Sequence, residues 1–295
     1  MGHRGIDRRR FLTISAAAGG MMLSGRAAPA ADAWEWRGTA LGAESSLRLY
    51  HPDRNAARSL IHACLAEVER LEAILSLYRD DSALCRLNRD GGLTAPPLEL
   101  VEVLSVAAAM SQRSHGAFDV TVQPLWDLYA AHFARSDADP AGPGDDAIRA
   151  VLPLVNWRNV AVEADRIAFA RPGMAVTLNG IAQGYITDRI TELLRRHGMT
   201  AVLVDMGEVR AGGAKPDGSP WQVAVAGGGT ERLFGGALAT SDADGTRFSP
   251  CCHHIFDPAT GRSAVDRGPV TARNAKAILA DATSTAIAAR GGATF

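Results

Sequence analysis

Apolar residues recur at helical spacing along several stretches of the chain. From Asn55 to Leu75, Leu60, Ile61, Cys64, Leu65, Val68, Leu71 and Ile74 fall on one face, the pattern of an amphipathic helix. Pro96-Pro97 opens a second helix from Leu98 to Ser114, and His115-Gly116 ends it. Pro124 begins a third, carrying Leu125, Trp126, Leu128, Tyr129 and Phe133. The stretch from Thr177 to Gly213 reads as a tight Asn179-Gly180 loop, a helix, a buried strand and a second glycine turn. In that helix Ile181, Tyr185, Ile186, Ile190, Leu193 and Leu194 share a face, with Arg195 and Arg196 in the last turn and Gly198 as the stop. The run Ala201-Val202-Leu203-Val204 is the strand, and Asp205-Met206-Gly207 closes it. A loop feeding a helix N-terminus offers unpaired N–H groups to a phosphate, although an ordinary βα unit has the same pattern.

Shorter alternations predict strands over Trp36–Tyr50 (one or two, with Gly42 between), Val160–Val162, Ile167–Ala170, Trp221–Ala226 and Leu233–Thr240. Asp145 to Leu154 reads as a short helix. Arg135 to Asp146, rich in Pro, Gly and Asp, is a surface loop or the gap between two lobes.

Composition adds an address. Arg8-Arg9-Arg10-Phe11-Leu12 contains the twin-arginine export pattern, a weakly apolar segment runs to about Leu23, and Ala28-Pro29-Ala30 supplies a cleavage site. Residues 1–30 therefore read as an export signal and residues 31–295 as a periplasmic domain. Net charge is -1 over the chain; without residues 1–30 it is -5, from 26 basic and 31 acidic side chains. No clustered basic patch points to nucleic acid. Cys64, Cys85, Cys251 and Cys252 are too few to staple a chain of 295 residues. Cys251-Cys252 beside His253-His254 raises a thiol–His metal site, but the separated ligand pairs of a zinc site are missing.

Several residues could carry chemistry or merely structure. Tyr78 ends a helix, where packing is common. Ser82 could cap a short helix, and Asp119 fits a turn or cap. The two histidines precede Asp257-Pro258 and Gly261, a good turn by chemistry alone. Asp281 and Thr285 stand at i and i+4 of a last helix, so both project from one face. They are hard oxygen donors that suit Mg2+, or else a cap aspartate with a surface threonine.

Five segments occur in a fixed order: Tyr78–Ser82, Gly116–Thr121, Thr177–Tyr185, His253–Pro258 and Asp281–Thr285. Together they resemble the ApbE-type FAD:protein FMN transferases, from about Leu41 to Ala288. The resemblance implies an α+β fold, with mixed sheets flanked by helices in two lobes and FAD in the cleft between. It implies an enzyme that moves FMN from FAD to a Thr or Ser hydroxyl of a partner protein and releases AMP, with Mg2+. The acceptor pattern would be Asp-Gly-x-Thr/Ser-Gly-Ala-Thr/Ser. By family position His254 is the catalytic base; Leu41, Tyr78, Ala117, Phe118, Asp119, Thr177, Gln183 and Ile255 meet the dinucleotide; and the Gly180 carbonyl, Asp281 and Thr285 hold the metal.

Some positions depart from the family pattern. Thr177 replaces an acid, Gln183 replaces a lysine, and Leu41-Gly42-Ala43 replaces Met-Gly-Thr. Asn179 and Gln183 fit a branch resembling NosX, which flavinylates a membrane-bound respiratory partner. Family members continue beyond the last helix into another helix and a closing strand, so either the sequence is cut short at Phe295 or a sheet edge is open. FAD hydrolysis to FMN and AMP, and a non-catalytic FAD-holding assembly factor, are the alternative activities.

Overall fold

The computed structural model describes residues 13–17, 32–40 and 42–295. The twin-arginine stretch, the cleavage site and Leu41 lie outside them. Helices are α1 Arg54–Leu75, α2 Ala83–Asp90, α3 Leu98–Arg113, α4 Gln123–Phe133, α5 Asp145–Val151, α6 Ala182–Arg196 and α7 Ala277–Ala289. The central sheet runs in the order Thr13–Ala17, Asp32–Ala40, Ala43–His51, Val202–Asp205, Val209–Ala211, Gly236–Ser241, Val270–Asn274. All its pairings are antiparallel. The α+β architecture expected from the sequence is the one observed. No helix among the described residues is long and apolar enough to cross a membrane.

The long hairpin Asp32–His51 alternates as its sequence does. Trp34, Trp36, Leu47 and Leu49 turn inward against Ile61, Val68 and Leu71 of α1 and Ile186, Ile190 and Leu194 of α6. Burying that many large side chains drives the fold at roughly 1.5–3 kcal/mol each before entropy is counted. The N-terminus of α1 is held by Asp53, whose carboxylate accepts from the Asn55 and Ala56 amides at 2.7 and 3.1 Å. Ser82 caps α2 by accepting from Cys85 N at 3.0 Å, so the capping alternative for this serine is the one observed.

A second, smaller core gathers Leu125 and Tyr129 of α4 with Cys252 and Phe256. Phe248 stacks on Phe133 there, with ring centroids 5.7 Å apart. This core supports two short hairpins, Arg247–Ser249 with Cys252–His253, and Phe256–Asp257 with Arg262–Ser263. The Pro- and Gly-rich segment after α4 is a loop laid over this core, and Ser249 Oγ donates to Pro140 O at 2.8 Å. Cys251 Sγ also meets that carbonyl, at 2.9 Å.

Several expected boundaries moved: the strand expected over Trp221–Ala226 ends at Ala224, the one over Ile167–Ala170 runs Arg166–Phe169, and two others moved for a physical reason. The strand expected over Leu233–Thr240 begins at Gly236, whose φ of 85° breaks the extended run; Leu233 belongs to a separate hairpin with Trp221–Ala224. The helix expected over Asp145–Leu154 stops at Val151 and continues as one tighter turn, because Pro153 has no N–H to give the preceding turn.

Candidate active site

The site is built where α6 crosses α7. Gly184 donates its N–H to Asp281 Oδ2 at 3.0 Å. A Cβ at residue 184 would lie 2.5 Å from Ala277 O, so only glycine lets the two helices approach this closely. One turn along α6, Asp188 accepts from Ala277 N and Ile278 N at 2.8 and 3.1 Å. It thereby caps α7, whose own N-cap residue, Lys276, makes no side-chain cap. Arg210 donates to the same carboxylate at 2.6 Å. Helix α7 is thus pinned to α6 at two points, and this sets where Asp281 and Thr285 stand.

Thr285 lies one turn beyond Asp281. Its Oγ1 is 3.1 Å from Ser241 Oγ, which is 2.8 Å from Ser284 Oγ. The Gly180 loop closes on the same spot: a Cβ there would be 2.7 Å from Thr285 Oγ1. Glu208 completes the group, its carboxylate accepting from Thr240 N at 3.2 Å. Burial pushes the Asp281 and Glu208 carboxyls above their usual range, and the Asp281 charge raises Glu208 further. No cationic side chain offsets either rise.

Two inward carboxylates with hydroxyls and a carbonyl make a hard oxygen set of the kind Mg2+ takes. Among the described residues no three His, Cys, Asp or Glu cluster as a metal site. The fit therefore rests on Asp281 and Glu208 supplemented by neutral oxygens. The thiol–His alternative does not form, because Cys251 turns to Pro140 and His253 is buried in the protein.

The two histidines have opposite fates. His253 is 3% exposed; its Nε2 donates to Ala264 O at 2.9 Å and its Nδ1 accepts from Ile255 N at 3.3 Å. His254 places Nδ1 3.1 Å from Thr246 O. A carbonyl can only accept, so Nδ1 carries the proton and Nε2 is left as a base. Its ring lies beside Gly245 on the wall of a cavity of about 300 Å³. Burial lowers the His254 pKa from 6.5, opposed by the Thr246 carbonyl, so the imidazole is neutral at pH 7. Gly180, Glu208, Asp281 and Thr285 line the same cavity.

This arrangement can be compared with known proteins. Residues 41–294 match the pattern of the ApbE family. An FAD:protein FMN transferase of Treponema pallidum is 30% identical over 272 residues, covering 77% of this chain and 71% of the relative. A Vibrio cholerae protein of the same name is 28% identical over 243 residues, covering 76% and 71%. The ApbE protein of Thermotoga maritima superposes with a TM-score of 0.75 at 28% identity, covering 88% of this chain and 87% of that one. A histidine-to-glycine mutant of flavin transferase ApbE from Vibrio cholerae gives 0.76 at 26% identity over the same shares. The chain belongs to the ApbE family.

Ala117, Phe118, Asp119, Thr177, Gly180, Gln183, His254, Ile255, Asp281 and Thr285, the positions that the ApbE resemblance singles out, all line the cavity. Tyr78 does not: it stands 74% exposed on the loop between α1 and α2. Asp119 faces the cavity with its carboxylate already engaged. It accepts from Thr121 N, Thr121 Oγ1 and Trp157 N at 2.8, 2.5 and 3.0 Å. The turn-and-cap reading of this residue is what the structure shows. Thr177 is fixed by its N–H to Val120 O at 2.8 Å, and Asn88 clamps Val176 through both its amide atoms at 2.8 Å.

The amides opening α6 are largely spent inside the ApbE site. Ile181 N and Ala182 N both donate to Leu178 O, at 3.0 and 2.8 Å, and Gly184 N goes to Asp281. The free helix N-terminus expected from the sequence is therefore closed to a phosphate over most of its first turn. Glu208, Ser241, Asp188 and Trp126 were not read from the sequence as site residues. Glu208, Ser241 and Trp126 line the cavity, and Asp188 positions α7. Asp188 carried a signal: an acid amid the apolar face of α6.

Proposed function

We propose that this protein transfers FMN from FAD to a Thr or Ser hydroxyl of a partner protein and releases AMP, with Mg2+ as the metal. The observation that carries this reading is the bare Nε2 of His254 opening on the cavity that Asp281, Thr285 and the Gly180 loop also line. The printed names of the relatives, FAD:protein FMN transferase, support the same chemistry.

An acceptor hydroxyl is a weak nucleophile at its free pKa. In the proposed reaction His254 Nε2 takes the hydroxyl proton as the oxygen bonds to the flavin-side phosphorus and the bond to AMP breaks. The Thr246 carbonyl steadies the imidazolium through Nδ1. Asp281, Thr285 and the Gly180 carbonyl, with Glu208 behind them, are the groups that would hold Mg2+. Bound there, the metal supplies charge neutralisation at the phosphate oxygens.

The acceptor pattern Asp-Gly-x-Thr/Ser-Gly-Ala-Thr/Ser, a membrane-bound respiratory subunit as its bearer, and a periplasmic setting belong to the same proposal. Arg8-Arg9-Arg10-Phe11-Leu12 and Ala28-Pro29-Ala30 support the compartment. The test incubates the protein with FAD, Mg2+ and a peptide carrying the pattern, read by mass spectrometry. A peptide heavier by one FMN supports transfer. Free FMN and AMP with unmodified peptide would mean hydrolysis, and intact FAD would mean a binding protein.

A further inference from the structure

We propose that FAD enters this site only together with a divalent cation, so that the metal governs binding itself and Gln183 is the residue that makes it so. This rests on the function proposed above. An FAD diphosphate brings two negative charges, and such a group needs positive partners in a confined cavity. Among the described residues the lining holds Asp119, Glu208, Asp242 and Asp281, and no lysine or arginine. Of the arginines on neighbouring elements, Arg210 is held by Asp188 and Arg247 by Asp244 and Asp266, while Arg158, whose charge reaches Asp119, lies over the Trp157 ring outside the lining.

Helix dipoles commonly replace cationic side chains at phosphate sites through free N–H groups. Here that substitute is mostly consumed, since Ile181 N and Ala182 N donate to Leu178 O and Gly184 N to Asp281. Gln183 sits at the remaining point of approach. Its side chain packs over Gly207, where a Cβ would be 2.5 Å from the Gln183 amide. A neutral amide donates a hydrogen bond but brings no charge. With no ammonium or guanidinium in the lining and most of the helix terminus consumed, the positive charge has to arrive with the ligand.

The test measures equilibrium binding of FAD, and of phosphate-free riboflavin as a control, by flavin fluorescence in Mg2+ and in EDTA. FAD affinity is expected to fall at least about tenfold in EDTA while riboflavin affinity stays the same. Gln183→Lys, checked for folding by circular dichroism, is expected to bind FAD in EDTA roughly 10- to 100-fold more tightly than wild type. Equal FAD affinity in the two buffers overturns the proposal, as does an equal loss for riboflavin. A folded Gln183→Lys protein with unchanged affinity in EDTA also overturns it. Should wild type bind FAD in neither buffer, the proposed function falls as well; should it bind equally in both, only the metal requirement does.

Discussion

His253 and His254 are neighbours in sequence and strangers in environment. Cys252–His253 is a two-residue strand with both side chains buried, and His254 stands in the bend just after it, so one ring is enclosed in the protein while the other meets the cavity. Sequence could name the pair as a turn; the resemblance singled out His254, and only the hairpin explains why. His254→Ala should lower turnover by about 100- to 10,000-fold without altering the fold, measured as kcat on the acceptor peptide. Because burial lowers the His254 pKa, its neutral form persists below 6.5. The acid limb of kcat/KM should therefore fall below that value, and a limb above it would remove His254 as the base. The stability sign agrees: the unfolded imidazole binds protons more readily, so stability falls as pH drops through 6.5 toward the folded pKa. Asp119 carries the converse lesson. Its family position implies ligand contact and it does line the cavity, while its three internal hydrogen bonds, invisible without Trp157 beside it, show that it is also a cap.

Helices α1, α3 and α6 were legible because each has an apolar face, and α3 and α6 also end on clear stop signals. Their mutual placement was not legible, since it rests on contacts between residues far apart in sequence. Gly184 reads as a mild defect in a helix, yet it is the contact point that lets α7 bring Asp281 to the α6 backbone. Gly184→Ala tests this with two opposed effects. Helix propensity gains about 1 kcal/mol. Against this, a Cβ placed 2.5 Å from the Ala277 carbonyl forces the helices apart, and overpacking of this kind costs about 1–3 kcal/mol. The clash is with backbone and cannot rotate away, so net destabilisation is expected in urea unfolding, with weaker Mg2+ binding by calorimetry. A variant as stable as wild type with unchanged metal affinity would show that the crossing has slack. Asp188 was likewise readable as an acid on the apolar side of α6, but its role as a cap for α7 appears only once Ala277 and Ile278 are seen to donate to it.

At the scale of the whole molecule, the cavity lies between the large core under the sheet and the small aromatic core around Tyr129. The sequence marked the proline-rich segment after α4 as a surface loop or the gap between two lobes, and the structure lays it over the small core as a loop. Asp281 and Glu208 are buried on the large-core side without a cationic partner, a stability cost that the proposed metal would offset. Asp281→Asn should leave the metal-free melting temperature equal or higher, since the amide oxygen can still accept from Gly184 N. The same change should abolish the upward shift that Mg2+ gives wild type. Wild type at 100 times its Kd gains about 2.7 kcal/mol by mass action. A Mg2+ response that survives in Asp281→Asn would place the cation elsewhere.

The seam where Ser46 pairs with Asp205 joins chain segments that are made far apart in time. Until residue 205 has left the ribosome, the Asp32–His51 hairpin has no inner neighbour, and its row of unpaired amides and carbonyls stays open. Assembly of the sheet must wait for a long loop to close, which makes it slow by topology. Nascent chains cut short before that point would end as half-sheets prone to stick to one another.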